Sequence, residues 1–339
     1  MSEPPDISVE QRTLRAPALL SIVAPVLNEE ETIVEFHRAV RRAMRDAGQA
    51  FEIVLVNDGS TDGAKRLMKE LCARHANTTL VDLSRNFGKE IAMTAGLDHA
   101  RGDAIVVMDA DLQHPPDVIP RLIEGWREGY DVVNAIRRSR DDDAPLRRLT
   151  ARLFYRAMRS MGRVALHEGA GDFRLLSRKA ADAVKSLREQ HRFMKGVFAW
   201  VGFPTKSVPF DVAPRFAGRT KFDIVKLWNF SIEGVTSHTL APLKASTYFG
   251  LIVAGLSFLS GLVYAAKAIL FGDPVQGFPT MIVTMSFLGG VQLIVLGVIG
   301  EYLGRVFNET KNRPLYFVNE LIAAKESALG EADEARGAA

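Results

Sequence analysis

The sequence predicts an α/β domain built on a parallel sheet covered on both faces, followed by interfacial amphipathic helices and a two-helix transmembrane hairpin. Three observations point there. Up to residue 136, short apolar runs alternate with helix-like patterns at the spacing of strand–helix–strand units. Several of these runs stop abruptly in polar or acidic residues, as strands do at the carboxyl edge of an open sheet, where ligands bind. Nearer the C-terminus, residues 245–271 carry one charge, Lys267, and residues 279–300 carry none.

In order, residues 1–18 hold Pro4, Pro5 and Pro17 among polar residues without periodicity and read as a flexible tail. Residues 19–26 form the first strand. This run follows Arg12 and Arg15, but Pro25 interrupts it and no small-residue cleavage pattern follows, so it is not read as a signal segment. Asn28 stands where an N-cap belongs, with Glu31 three residues on completing a capping-box pattern, and the helix runs to about Ala47 with Gly48 as its stop. Residues 53–56 form a second strand ending in Asn57-Asp58-Gly59-Ser60. Residues 79–83 form a third, ending in Ser84-Arg85-Asn86-Phe87-Gly88-Lys89 before a helix to about Ala100. A fourth run stops in Asp109-Ala110-Asp111-Leu112-Gln113, and residues 131–136 form a fifth strand. Taken alone, Asp-x-Asp is either a pair of solvated turn carboxylates or two oxygen ligands for a hard divalent cation.

Composition narrows the chemistry. A chain of 339 residues has room for about two domains. A net charge of +3 gives no bulk argument for nucleic acid, and none is expected as a partner. Cys72 is the only cysteine, which excludes an intrachain disulfide and fits a reducing compartment. No G-x-G-x-x-G follows the first strand, and Gly88-Lys89-Glu90 lacks the spacing of a P-loop. A dehydrogenase or P-loop ATPase is therefore disfavoured.

Arg148, Arg152, Arg156, Arg159 and Arg163 recur at spacings of three and four beside an apolar stripe, which suits a helix at an anionic surface as well as an ordinary solvated face. Gly169-Ala170-Gly171-Asp172-Phe173-Arg174 places an acid and a base two residues apart on a strand after a glycine-rich turn; an internal ion pair explains it equally well. Residues 222–235, with Trp228, read as an interfacial helix.

Residues 245–271 and 279–300 each exceed the ~20 apolar residues that cross a hydrocarbon core. Lys221, Lys226 and Lys244 precede the first span, and Arg305, Lys311 and Arg313 follow the second. Both flanks are therefore expected on the cytoplasmic side. Gly289-Gly290 and nearby small residues would let helices approach closely, a route to a homo-oligomer.

Pro25-Val26-Leu27-Asn28-Glu29, Val56-Asn57-Asp58-Gly59-Ser60 and Asp109-Ala110-Asp111-Leu112-Gln113-His114-Pro115-Pro116 resemble the nucleotide-sugar domain of inverting family-two glycosyltransferases. Gly171-Asp172-Phe173-Arg174-Leu175, Arg192-Phe193-Met194-Lys195-Gly196, Arg215 with Gly218-Arg219-Thr220-Lys221-Phe222, and Gly300-Glu301-Tyr302-Leu303-Gly304-Arg305 extend the resemblance to the polyprenyl-phosphate glycosyltransferases, over residues 19–320 or so. The resemblance implies a GT-A-type, Rossmann-like domain over residues 19–220, juxtamembrane helices over 221–244, spans within 245–304 and a cytoplasmic segment over 305–339. It implies that Pro25, Asn28, Glu29, Asp58, Lys89, Asp109 and Gln113 bind the nucleotide sugar, and that Asp109 and Asp111 hold Mg2+ or Mn2+. Asp172 and Asp111 are the implied catalytic residues. Arg215, Lys221, Arg148 and Arg156 are candidates for the lipid phosphate. The implied reaction is inverting transfer from a nucleotide sugar, UDP-linked by analogy, to undecaprenyl phosphate at a bacterial inner membrane, with the catalytic domain and both termini cytoplasmic. Two alternatives remain: a polysaccharide synthase of the same fold, which should carry a Q-x-x-R-W motif and more spans, and a non-catalytic subunit that binds nucleotide sugar.

Overall fold

Apolar, largely β-branched segments build the centre of the molecule. Strands β1 (Leu20–Val26), β2 (Phe51–Asn57), β3 (Thr78–Leu83) and β4 (Ala104–Val107) are buried on both faces and are mostly apolar, with Glu52 and Asp82 among the buried exceptions. Helices α1 (Ile33–Asp46), α2 (Ala64–Arg74) and α3 (Lys89–His99) make the crossovers between them. The computed structural model describes residues 18–138, 170–190, 192, 194–211, 241–271 and 277–324. The tail, the arginine-rich stretch 147–163, the helix expected at 222–235 and all four candidate lipid-phosphate residues (Arg148, Arg156, Arg215 and Lys221) lie outside that set.

Beyond β4 come α4 (Ile119–Arg127), β5 (Val132–Arg137), β6 (Ala170–Ser177), α5 (Arg178–Ser186), α6 (Met194–Trp200) and β7 (Thr205–Phe210). A final strand, β8 (Val318–Ile322), completes an eight-stranded sheet of order β7-β5-β6-β4-β1-β2-β3-β8. The sheet is mixed, not wholly parallel as the alternation predicts. Strands β4, β1, β2 and β3 run parallel, which brings the carboxyl ends of β1, β2 and β4 to one edge. Strand β6 is antiparallel to both β4 and β5, and β8 is antiparallel to β3. Right-handed crossovers account for the parallel pairing of β1 to β4, whose strand–helix–strand units alternate regularly.

Alternate residues of the central strands feed two cores. Ile22, Ile53, Leu55, Leu80 and Val106 pack with Phe36, Met44 and Met68 of α1 and α2. On the other face Val23, Val54, Val56, Val81 and Ile105 pack with α3, α5 and α6. Cys72 belongs to the first core; burial pushes its thiol up to about 11, so it is a packing residue and not a nucleophile.

The first helix starts later than its capping-box pattern predicts. Thr32 occupies the N-cap position without a side-chain cap, and Asn28 takes a left-handed φ of 56° in the loop before it. The loop needs that amide elsewhere: Asn28 Oδ1 accepts the Thr61 N–H at 2.8 Å. By contrast Ser177 is a true N-cap, accepting from Ala180 N at 3.2 Å while its hydroxyl donates to Asp131.

Helices α7 (Ala241–Phe271) and α8 (Phe278–Thr310) form a second compact unit, and from Pro314 the chain belongs to the first unit again. Both helices expose large apolar side chains, among them Phe258 and Leu270 of α7 and Leu293 and Met285 of α8. Among the described residues one segment, Phe287–Thr310, has the length and mean hydropathy, 1.6, to cross a membrane. Glu301 and Arg305 pair at 2.9 Å near the end of α8, as their i, i+4 spacing predicts.

Candidate active site

The site is assembled where the chain leaves β1, β2 and β4. Asp58 follows β2 and is 2% exposed. Its Oδ1 accepts the Phe87 N–H at 2.7 Å and its Oδ2 the Gly88 N–H at 3.0 Å. Burial raises its pKa, with those two backbone bonds and Arg85 opposing the rise. The carboxylate thus clamps the 84–88 loop onto the 57–62 loop. Gly59 permits the approach: a Cβ there would lie 2.5 Å from the Asn86 nitrogen, and its φ is 71°. Arg85 lies over the Phe87 ring, 4.0 Å from its centroid.

From β1 come Pro25, within the strand opposite Val56, and the loop residues Asn28 and Glu29. Asn28 N–H donates to Ser60 Oγ at 3.1 Å, and Glu29 Oε2 accepts the Thr32 hydroxyl at 2.8 Å. Asn28 thus ties the loop after β1 to the loop after β2 through Ser60 and Thr61.

The β4 side is built on charge. Asp109 Oδ1 lies 2.6 Å from Lys89 Nζ, and the same ammonium lies 2.5 Å from Asp172 Oδ2 on β6. Lys89 is the first residue of α3, placed there by the Gly88 turn with its φ of 96°. Burial disfavours the ammonium, but the two carboxylates outweigh that and hold Lys89 above its ordinary pKa. Leu112 takes a φ of 60°, and Gln113 N–H donates to Asp111 Oδ1 at 3.0 Å, which curls the Asp-x-Asp loop back on itself.

His114 was not among the site residues read from the sequence. It is buried, stacked on Phe173 at 5.1 Å and edge-on to Phe210 at 5.9 Å. Its Nδ1 accepts the Asp109 N–H at 3.4 Å. Burial lowers its pKa against the pull of Asp109 and Asp111, so the ring is held neutral. Asp109, Asp111 and His114 each place a ligand atom within 4.8 Å of the others. Two carboxylates fit a divalent cation of the Mg2+/Mn2+ type; His114 would join them only by giving up the Asp109 N–H at Nδ1, and its nitrogen would then favour Mn2+. That Asp109 already holds an ammonium shows the position suits positive charge.

Asp172 and Arg174, two residues apart on β6, have different duties. Asp172 faces Lys89, whereas Arg174 is 3% exposed, lies 4.0 Å over the Phe198 ring and donates to the Gly171 carbonyl. Burial pushes Arg174 down to about 10, with Asp172 and Glu90 opposing. Its hydrogen bond to Gly171 braces the backbone that presents Asp172. The structure thus brings Lys89, Asp109 and Asp172 into direct contact, with Asp111 and His114 beside them.

Residues 21–185 match the family described as Glycosyl transferase family 2. The chain is 46% identical over 302 residues to an uncharacterized glycosyltransferase of Synechocystis sp., covering 89% of this chain and 95% of that one. It is 45% identical over 301 residues to the SfII prophage-derived bactoprenol glucosyl transferase of Shigella flexneri, covering 89% and 97%. With a prophage bactoprenol glucosyl transferase homolog of Escherichia coli K12 it shares 44% identity over 302 residues, covering 89% and 99%.

Proposed function

Because this chain belongs to glycosyl transferase family 2 and is a glycosyltransferase that moves a sugar onto a polyprenyl phosphate carrier, we propose how its residues divide that work. The donor is a nucleoside diphosphate sugar, UDP-linked. The 25–29 and 57–61 loops, with Asp58, receive the nucleoside, and the Asp-x-Asp loop receives the diphosphate. Asp109 and Asp111 would hold Mn2+ or Mg2+, joined by His114 if Nδ1 releases the Asp109 N–H, and the cation when bound supplies positive charge to the departing diphosphate.

The acceptor phosphate monoester has a second pKa near 6 and reaches the site largely as a dianion at neutral pH. Its oxygen forms the bond to the anomeric carbon as the bond to the diphosphate breaks, the electron pair leaving with the nucleoside diphosphate and the configuration inverting. With an acceptor already ionised, Asp172 has little proton to remove and instead orients Lys89. The Lys89 ammonium, fixed between two carboxylates, supplies preorganised charge beside the reacting phosphates. Arg215, Lys221, Arg148 and Arg156 form the cationic clamp for the lipid phosphate.

A polyprenyl chain is costly to withdraw from a bilayer, so the acceptor must be met at the membrane surface. We assign α7 and α8 as a transmembrane hairpin. The lysines before α7 and the Arg305, Lys311 and Arg313 cluster after α8 set both flanks, and with them the catalytic unit, on the cytoplasmic side. The observation that carries the reading is the Lys89 bridge between Asp109 and Asp172 at the sheet edge. Membranes containing the protein, given Mn2+, undecaprenyl phosphate and a panel of labelled nucleotide sugars, are expected to yield lipid-extractable label from a UDP-sugar. Label from none of them would sink the proposal.

A further inference from the structure

Strand β8 follows the apolar helices in the chain yet pairs with β3, and one of its side chains reaches the support of the nucleoside loop. Asn319 Nδ2 donates to Asp82 Oδ2 at 2.7 Å. Asp82 is 1% exposed; Lys65 Nζ also reaches Oδ2, at 2.8 Å, and Oδ1 accepts from Asn57 Nδ2 at 2.7 Å. Asn57 ends β2 and immediately precedes Asp58. Its Oδ1 accepts the Ser60 N–H at 3.1 Å, and Ser60 in turn receives the Asn28 N–H.

The chemistry of this chain of bonds is directional. A carboxylate only accepts, so it turns the Nδ2 of Asn57 towards itself and leaves Oδ1 as the acceptor for Ser60. Were the amide reversed, an oxygen would face a buried anion and an NH2 would face an N–H. Burial works against the Asp82 anion, and Asn319, Lys65 and Asn57 together more than offset it. The neighbouring β8 contacts are of another kind: Lys69 and Glu320 pair at 2.6 Å with both side chains more than a third exposed, where a salt bridge contributes little.

We propose that Asn319 is a positioning residue for the sugar donor, acting through Asp82 to fix the Asn57 amide and with it the 57–61 loop beside Asp58. This rests on the donor-site reading above. The segment returning from the apolar helices thereby sets the affinity of a loop on the far side of β3.

The test uses the full-length protein in detergent, titrated calorimetrically with UDP and with GDP, each in the presence of Mn2+, with melting temperature recorded for every variant. Asn319→Ala is expected to weaken nucleotide binding about three- to tenfold, below the full scale of a charge-assisted hydrogen bond because Asn319 acts on the loop through Asp82 and Asn57. In turnover it should raise the donor KM while leaving kcat and the acceptor KM alone. Asn319→Asp, nearly the same shape but opposing Asp82 with a second acid, should weaken binding at least as much. Asn57→Ala should resemble Asn319→Ala, and the double variant should fall short of the product of the two. Glu320→Gln, on the same strand, should bind as wild type does. Unchanged binding in both Asn319 variants, whatever their melting temperatures, overturns the proposal. So does a multiplicative double variant, or an equal loss in Glu320→Gln, which would mean that docking of β8 as a whole is what matters. A wild-type protein that melts cooperatively but binds neither nucleotide removes the donor-site reading itself, and the proposal with it.

Discussion

The loops that leave β2 and β4 sit at the same edge of one sheet, yet they are built on different physics. After β2, residues 57–62 are held by hydrogen bonds: both Asp58 oxygens, the Ser60 hydroxyl and the Thr61 N–H have partners in neighbouring loops, and the Asn57 amide bonds Asp82 of β3 on one side and the Ser60 N–H on the other. After β4, residues 109–114 gather two carboxylates and a neutral imidazole around a place for a cation, with Lys89 reaching in from α3. The first loop is preformed and suits a ligand recognised by shape and hydrogen bonds. The second places two carboxylates side by side with the Lys89 ammonium against one of them. On the proposed reading, recognition and charge stabilisation fall to separate strands.

The comparison breaks most visibly on the β4 side. Asp111→Asn keeps the shape of the loop but removes a ligand charge, and should abolish sugar transfer to polyprenyl phosphate, a loss of about 10²–10³-fold or more, with the protein still folded and membrane-bound. Transfer at the wild-type rate, assayed with labelled donor, would end the metal role. Lys89→Met should lower kcat by about 10²-fold with a small effect on melting temperature, while Lys89→Arg recovers part of it. A Lys89→Met variant whose KM alone changes would move Lys89 out of the charge-stabilising side of the comparison.

On the β2 side the effects are smaller and fall on binding. Gly59→Ala drives a Cβ against the Asn86 backbone and strains a positive φ, so the loops must separate; donor KM should rise about tenfold with kcat little changed. Smallest is a difference in acid response. Burial raises Asp58, so its contribution is greatest below the ordinary carboxylate pKa and is lost as pH rises through the raised folded value. Asp82 is lowered in spite of burial because Asn319, Lys65 and Asn57 donate to it. Its contribution is present above the ordinary value and is lost as pH falls through the lowered one. In melting temperatures measured from pH 6 down to about 3, Asp82→Asn should flatten the acid decline and Asp58→Asn should steepen it.

Much of this was legible in the residues, and the exceptions have physical reasons. Strands β1 to β5 announce themselves because a buried strand is a continuous apolar run, and Asp58, Asp109 and Asp111 stand where such runs stop. Strand β8 does not, since Val-Asn-Glu-Leu-Ile is short, half polar and lies at the sheet edge, where little apolar burial is required. Asn28 matched a capping pattern, but its amide is used by Thr61, a long-range contact that no local pattern encodes. His114 carried one cue, its place between the acidic loop and two prolines; what makes it a site residue is the stack with Phe173 and Phe210, which arrive from β6 and β7. The direction of β6, and therefore the meeting of Asp172 with Lys89, depends on how the chain returns across residues 139–169, and short-range pattern is silent on that.

The position of β8 also orders events in time. Synthesis runs from the N-terminus, so the ribosome completes β1 to β7 and then both long apolar helices before it reaches Val318. Until then β3 presents an unpaired edge, the kind of surface that invites mispairing with another nascent chain. The sheet can be closed only after the apolar helices have been made. A translation arrest or truncation between α8 and β8 would leave the helices complete and the catalytic sheet one strand short, and quality control at that stage would meet an open β3 edge.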